Sequence, residues 1–306
     1  MVIRAENVRR RYGDTVALDG VSFSVESGEV FALIGPNGAG KTTLIRALTG
    51  TTQAEGTVEL LGGAPEDAAR HRIGLLPQEF SPAERLTARE LLAYYAGLYD
   101  QSRDPDSVLD DVGLTDSADT YYENLSGGQK RRVCVGTALV NAPDVLILDE
   151  PTTGIDPNGR RELWALIEGL ADTGTTVLLT THYMEEAETL ADRVGLLADG
   201  KLVELGSPEE LIERHGGDSR LVVEADDAAD ATRALERAGY HLLPDETHVA
   251  VAAGPRDIPD IADALDDAGV DYEGLLWRQP GLDDVYVALT GTDVTATGDP
   301  ITEGQP

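Results

Sequence analysis

Apolar and polar positions alternate along this chain in blocks that change period several times, and the changes mark out its elements. Val21-Ser22-Phe23-Ser24-Val25 switches at every residue, predicting a strand with one covered face, and Val2-Ile3-Arg4-Ala5 predicts a shorter one. Val30 to Ile34, Val145 to Leu148 and Val177 to Leu179 are apolar without interruption, as strands buried on both faces should be. Gly56 to Gly62 and Ile73 to Leu76 predict two more strands. From about residue 86 to 140 the spacing becomes helical, through Leu86, Leu91, Leu92, Tyr95 and Leu98, then Val108, Leu109 and Val112. This predicts a helical insert within an otherwise α/β pattern. Leu163, Leu166, Ile167 and Leu170 predict a helix after Pro157, and Asp199-Gly200 predicts a hairpin joining Val194–Leu197 to Lys201–Leu205. Ser207-Pro208 opens one more helix.

At His215-Gly216-Gly217 the pattern stops and restarts. Strand near Leu221, helix through Ala228 to Leu235, strands near 240–243 and 248–252, helix through Ile258 to Leu265 and strand near Leu275 give the order βαββαβ. That order predicts a small ferredoxin-like α+β domain. The expected division is therefore 1–216, 217–291, and a flexible tail at 292–306 rich in Thr, Gly, Pro and Asp.

Composition narrows the function. Of 306 residues 56 are acidic and 24 basic, a net charge of −32 that repels nucleic acid and anionic lipid. Such a surface suits concentrated salt, where a Debye length of about 3 Å at about 1 M makes dense like charge tolerable. Cys134 is the only cysteine, so neither an internal disulfide nor a Cys-rich zinc site can form. No apolar run approaches the roughly 18 residues a membrane span needs, and the first residues do not open a signal peptide, so a cytoplasmic chain is expected.

The chemistry begins where the buried run ending at Ile34 meets Gly35-Pro36-Asn37-Gly38-Ala39-Gly40-Lys41-Thr42-Thr43 and a helix follows. Strand, glycine loop and helix form a phosphate cradle. The glycines bring N–H groups close to a polyphosphate, the helix start adds positive potential, Lys41 reaches the terminal phosphates and Thr42 can ligate Mg²⁺. Asp149 and Glu150 emerge at the tip of a buried strand, suited to outer-sphere Mg²⁺ binding and to polarising a water for attack on a γ-phosphate. Gln78 and His182 end two other strands at the edge of the sheet where ligands collect. Ser126 is placed to cap a helix whose Gly127-Gly128 start leaves amides open to an anion, with Gln129 and a basic trio behind it. Tyr12 beside Gly13 reads as a turn residue or as a flat face for a purine ring.

With the phosphate loop, Leu125-Ser126-Gly127-Gly128-Gln129 and the Asp149-Glu150 strand in this order, residues 1 to about 215 resemble the nucleotide-binding subunit of an ATP-binding cassette (ABC) transporter. The resemblance implies a P-loop NTPase cassette: a mixed sheet core with an antiparallel β part and a helical insert. It implies ATP and Mg²⁺ as ligands, with Gly35, Asn37, Gly38, Ala39, Gly40, Lys41, Thr42 and Thr43 around the phosphates and Tyr12 stacked on adenine. It makes Gln78 a metal-contacting relay to the membrane subunit, Glu150 the general base and His182 the switch at the γ-phosphate. Ser126, Gly127, Gly128, Gln129 and Asp156 would face a second cassette, in a head-to-tail homodimer that closes on ATP.

Lys130-Arg131-Arg132, Thr181-His182-Tyr183-Met184-Glu185-Glu186 and Pro280-Gly281-Leu282-Asp283-Asp284 resemble multidrug and daunorubicin-type exporters, in which a separate membrane permease partners the cassette. That places the subunit at the cytoplasmic face of the membrane and gives the small C-terminal domain a regulatory, dimer-stabilising or supporting role. The alternatives are an ABC-type ATPase acting on DNA or ribosomes, and a catalytically silent ATP-gated module. A short insert, a single cysteine and the acidic charge oppose the first, and the presence of Glu150 and His182 opposes the second.

Overall fold

The computed structural model describes residues 1–243, 248–294 and 298–301, and the chain divides into two compact units. One comprises Met1–Pro208 with the described residues from Thr290 onward; the other is Glu209–Leu289. The divide thus falls one helix earlier than the glycine pair at 216–217.

The first unit opens with an antiparallel hairpin, β1 (Ile3–Tyr12) and β2 (Thr15–Val25), both longer than the alternating stretches predict. A wholly buried β3 (Val30–Ile34) leads through the glycine loop to α1 (Lys41–Leu48), and β4 (Glu55–Leu60) returns to pair with β1. After β5 (Ile73–Leu76) comes the helical insert: α2 (Ala88–Ala96), α3 (Pro105–Asp111) and α4 (Gly127–Leu139). Its helix starts follow local rules. Thr87 and Glu90 exchange side-chain and backbone hydrogen bonds, and Asp104 caps the helix that begins at Pro105. β6 (Val145–Asp149), α5 (Pro157–Asp172), β7 (Thr176–Thr181), α6 (Met184–Leu190), β8 (Arg193–Ala198) and β9 (Lys201–Gly206) complete the unit.

Among the described residues the main sheet runs β5-β6-β7-β3-β8-β9, parallel except for the final hairpin, and a separate antiparallel sheet runs β2-β1-β4. The hairpin turn has positive φ at both Asp199 (47°) and Gly200 (75°), as a two-residue turn between twisted strands requires. Phe23 stacks on Phe31 with ring centroids 5.0 Å apart, joining the two sheets through one core with Leu18, Leu33, Leu44 and Leu48.

α7 (Pro208–His215) opens the second unit. β10 (Arg220–Ala225), α8 (Ala228–Arg237), β11 (Leu242–Leu243), β12 (Val249–Ala252), α9 (Ile258–Asp267) and β13 (Tyr272–Arg278) repeat the βαββαβ order, with strands arranged β11-β12-β10-β13. In chain order that is 2-3-1-4, a ferredoxin-like sheet. Leu221, Val223, Val249 and Val251 face Ala231, Leu235, Ile261 and Leu265 in a core of their own. α10 (Leu282–Thr290) closes the unit; β14 (Asp293–Val294) and β15 (Pro300–Ile301) then pair antiparallel. Of the tail expected to be flexible, 295–297 and 302–306 lie outside the described residues.

Candidate functional site

Neighbouring parallel strands end side by side, and here four consecutive ones carry chemistry at their carboxyl ends. β5, β6, β7 and β3 adjoin in that order, so Gln78, the Asp149-Glu150 pair, His182 and the glycine loop come to one edge of the sheet. The sequence places them up to 147 positions apart, from Gly35 to His182.

The loop is shaped by backbone that side chains would block. Gly40 has φ of 110°, and a Cβ there would lie 2.5 Å from the Ala17 carbonyl oxygen. From this loop α1 starts with no side-chain cap, so its first amides are left to backbone or ligand partners. Lys41 folds back: its Nζ donates to the carbonyls of Gly35 (2.6 Å) and Pro36 (3.1 Å) and lies 3.0 Å from Glu150 Oε1.

Glu150 is the hub of the site. Its other oxygen is 2.6 Å from His182 Nδ1 and accepts from Thr153 Oγ1 at 2.9 Å. Burial alone would push this carboxyl upward, but the His182 hydrogen bond and the Lys41 charge outweigh it and hold the carboxyl below its ordinary range. The other ring nitrogen of His182, Nε2, is buried with no hydrogen-bond partner among the described residues. With Nδ1–H turned to Glu150, an incoming donor would meet the Nε2 lone pair of the neutral ring and an incoming acceptor the Nε2–H of the imidazolium.

Two of the three oxygen ligands expected for a cation approach each other, and the third ends the neighbouring strand. Thr42 Oγ1 is 3.4 Å from Gln78 Oε1, and Asp149, 1% exposed, accepts a 2.6 Å hydrogen bond from Thr180. Hydroxyl, amide and carboxylate oxygens form a hard donor set that fits Mg²⁺. Among the described residues no cluster of three or more His, Cys, Asp or Glu side chains could hold a metal by itself, so phosphate oxygens would have to complete the shell.

Ser126, Gly127, Gly128, Gln129 and Asp156 form a second group. Ser126 Oγ accepts from the Gln129 amide while Gln129 Oε1 accepts from the Ser126 amide, a reciprocal cap at the start of α4. The side-chain amide of Gln129 also donates to Ser117, so this glutamine shapes the turn. The two glycines differ. Space opens around Gly127, whereas a Cβ on Gly128 would sit 3.0 Å from the Gly159 Cα, where α4 meets the start of α5 beneath the Asp156 cap.

Tyr12 ends β1, with the Arg10 guanidinium 4.5 Å from its ring centre. The Thr52 side chain, hydrogen-bonded to the Tyr12 oxygen so as to favour the phenolate, lowers the Tyr12 pKa. At the mouth of the phosphate loop, the Asn37 amide donates to the Gly298 carbonyl (2.6 Å) and its side chain to Asp299 (3.1 Å).

Reasoning from sequence missed Thr153, Thr180 and Arg131. Thr180 had a signal, because register with β6 sets it opposite Asp149. The other two arise from loop and helix packing and leave no periodic trace.

Residues 18–153 match the family model described as "ABC transporter". The Nod factor export ATP-binding protein I of Burkholderia lata is 37% identical over 298 residues, covering 94% of this chain and 96% of that protein. The chain belongs to the ABC transporter family. This cassette is also 37% identical to the daunorubicin resistance ATP-binding protein DrrA3 of Streptomyces coeruleorubidus, over 95% of this chain and 96% of that one. Its fold matches a dimeric ATP-binding cassette in a post-hydrolysis state bound to ADP and Pi, at a TM-score of 0.59 and 25% identity, over 67% of this chain and 98% of that one. The chain is an ABC transporter ATP-binding subunit and an ATPase. Among its described residues no helix is long and apolar enough to cross a membrane.

Proposed function

We propose that this cassette powers export through a separate membrane permease, pairing head to tail with a second copy so that each ATP lies between one phosphate loop and the other chain's Ser126–Gln129 turn. The observation that carries the catalytic half is the buried Lys41-Glu150-His182 cluster beside the oxygen set of Thr42, Gln78 and Asp149. The export half rests on the export and drug-resistance names of relatives that match nearly the whole chain. On this reading the subunit works at the cytoplasmic face of the membrane.

Lys41 and Glu150 neutralise each other in the structure, and ATP changes that. Triphosphate oxygens draw the ammonium away, and Glu150 loses a charge that had held its pKa down. The carboxylate becomes more basic when substrate is present. Glu150 then takes a proton from a water, whose oxygen attacks the γ-phosphorus as the bond to the β,γ-bridging oxygen breaks, giving ADP and inorganic phosphate. His182 offers its free ring nitrogen to a γ-phosphate oxygen, and its Nδ1 hydrogen bond keeps the ring oriented. Mg²⁺, held by Thr42 and Gln78 with Asp149 behind them, would neutralise charge on the β- and γ-oxygens. Tyr12 would carry the adenine.

Glu150→Gln tests both halves of the site. With Mg·ATP the variant should accumulate as a dimer of twice the monomer mass with turnover abolished, whereas near-normal turnover would refute the base assignment. A complex with nucleotide held wholly inside one subunit, and residues 126–129 turned from any neighbour's ligand, would refute the pairing.

A further inference from the structure

Arg131 is a half-buried cation whose hydrogen bonds, among the described residues, all go to backbone. From the second turn of α4, its Nε donates to the Pro151 carbonyl at 2.6 Å, and Nη2 donates to those of Glu150 (2.8 Å) and Asp149 (3.2 Å). Among the described residues no carboxylate forms an ion pair with it, and burial lowers its pKa.

Three successive carbonyls cannot converge on one group from an extended strand, where they alternate in direction. They converge here because Glu150 has φ of 52°, a left-handed conformation unusual for a residue with a side chain. That turn is held on both sides. The Glu150 amide donates to the carbonyl (3.1 Å) and hydroxyl (3.0 Å) of Thr180, and its carbonyl accepts from Arg131. Without the guanidinium, the strained turn would keep its β7 anchor and a long 3.4 Å hydrogen bond from the Thr153 amide to the Glu150 carbonyl, while three carbonyls would each lose a donor.

We propose that Arg131 is a positioning residue for the catalytic base, fixing the left-handed turn that aims Glu150 at Lys41 and His182. Because Arg131 lies on the helix headed by Ser126–Gln129, it ties the surface offered to a partner's nucleotide to the base acting on its own chain's nucleotide. This second half rests on the head-to-tail pairing above; the first does not.

Arg131→Met and Arg131→Lys in the full chain test it through steady-state ATP hydrolysis, with rates expressed per ADP-binding site so that any unfolded fraction drops out. For Met, kcat should fall by roughly 30-fold with KM within about threefold, the split expected when a group acts only on the chemical step. Lys should recover part of that loss by keeping charge and donors without the planar fork. A kcat within about twofold of wild type, a parallel loss of kcat and nucleotide affinity, or no nucleotide binding in either variant would overturn the proposal.

Mixed dimers separate the two halves. With Arg131→Met and Glu150→Gln on the same chain, activity should match a dimer carrying Glu150→Gln in one chain alone. On opposite chains it should fall by a further factor of roughly 30, because the only remaining base has lost its anchor. The reverse order would place the action of Arg131 in the Ser126–Gln129 turn and overturn the cis assignment. If no ATP-dependent dimer forms even with wild-type Arg131, the pairing fails, while the kcat result still decides the positioning role.

Discussion

The Lys41 ammonium lies 3.0 Å from Oε1 of Glu150, in a pair that solvent scarcely reaches. Neither charge could be buried alone, and leaving one of them unpartnered costs about 3–5 kcal/mol. Removing either partner would therefore destabilise the fold through the same groups that do its chemistry.

Acid should expose this coupling. The folded-state pKa of Glu150 is depressed below that of an ordinary carboxyl, so its contribution is present above the unfolded-state pKa and is lost as pH falls through the folded one. Urea unfolding of nucleotide-free protein between pH 6 and pH 3 should show a steeper acid loss for wild type than for Glu150→Gln, whose amide does not titrate. Parallel curves would contradict the depressed pKa.

Glu186 should behave in the opposite sense. Burial raises its pKa against the opposing pull of Thr181, Trp164 and Thr152, and Trp164 Nε1 donates to one carboxyl oxygen. A raised folded-state pKa gives stability that is complete below the unfolded value and fades as pH rises through the folded one. Glu186→Gln keeps an acceptor for Trp164 and no longer titrates. Its unfolding midpoint should equal that of wild type near pH 4 and exceed it near pH 7, measured by the same urea titration.

The two glycines that begin α4 predict opposite stability effects. Gly128→Ala drives a methyl against the Gly159 backbone and should destabilise by about 1–3 kcal/mol. Gly127→Ala meets no atom within 4 Å and should leave stability unchanged or raise it by about 0.5–1 kcal/mol. If Gly127 faces a neighbour's nucleotide, that intact variant should still lose turnover. Urea midpoints and ATPase rates on the same samples check both effects.

Salt should stabilise the protein. The net charge of −32 is self-repulsive, whereas exposed pairs such as Arg89 with Asp119 are worth about 0–1 kcal/mol each. Screening removes both, and the repulsion is the larger. The thermal midpoint should therefore climb as KCl is raised from about 0.1 M to about 1 M; a fall would show that local pairs dominate.

Much of this arrangement was legible in the chain because strand and loop signals are local. Val30–Ile34 followed by the glycine loop, and Leu148-Asp149-Glu150 at the tip of an apolar run, carry burial and chemistry in one stretch. Strand order was less accessible. Nothing near Gln78 says that β5 lies beside β6, and the Gln78–Thr42 approach depends on that neighbourhood. The Lys41–Glu150 pair is further from reach, since it requires the left-handed turn at Glu150, which Arg131 holds from another helix. The reciprocal Ser126–Gln129 cap could have been read from a serine followed three positions later by glutamine.

The Asn37 amide, at the lip of the phosphate cradle, already donates to the backbone carbonyl of Gly298. A ligand arriving there exchanges one oxygen acceptor for another and gains little from that hydrogen bond. The driving force for occupancy must come from what a peptide carbonyl lacks, a full negative charge opposite Lys41 and the start of α1. Discrimination at this lip is a matter of charge, so uncharged molecules of similar shape have no thermodynamic reason to enter.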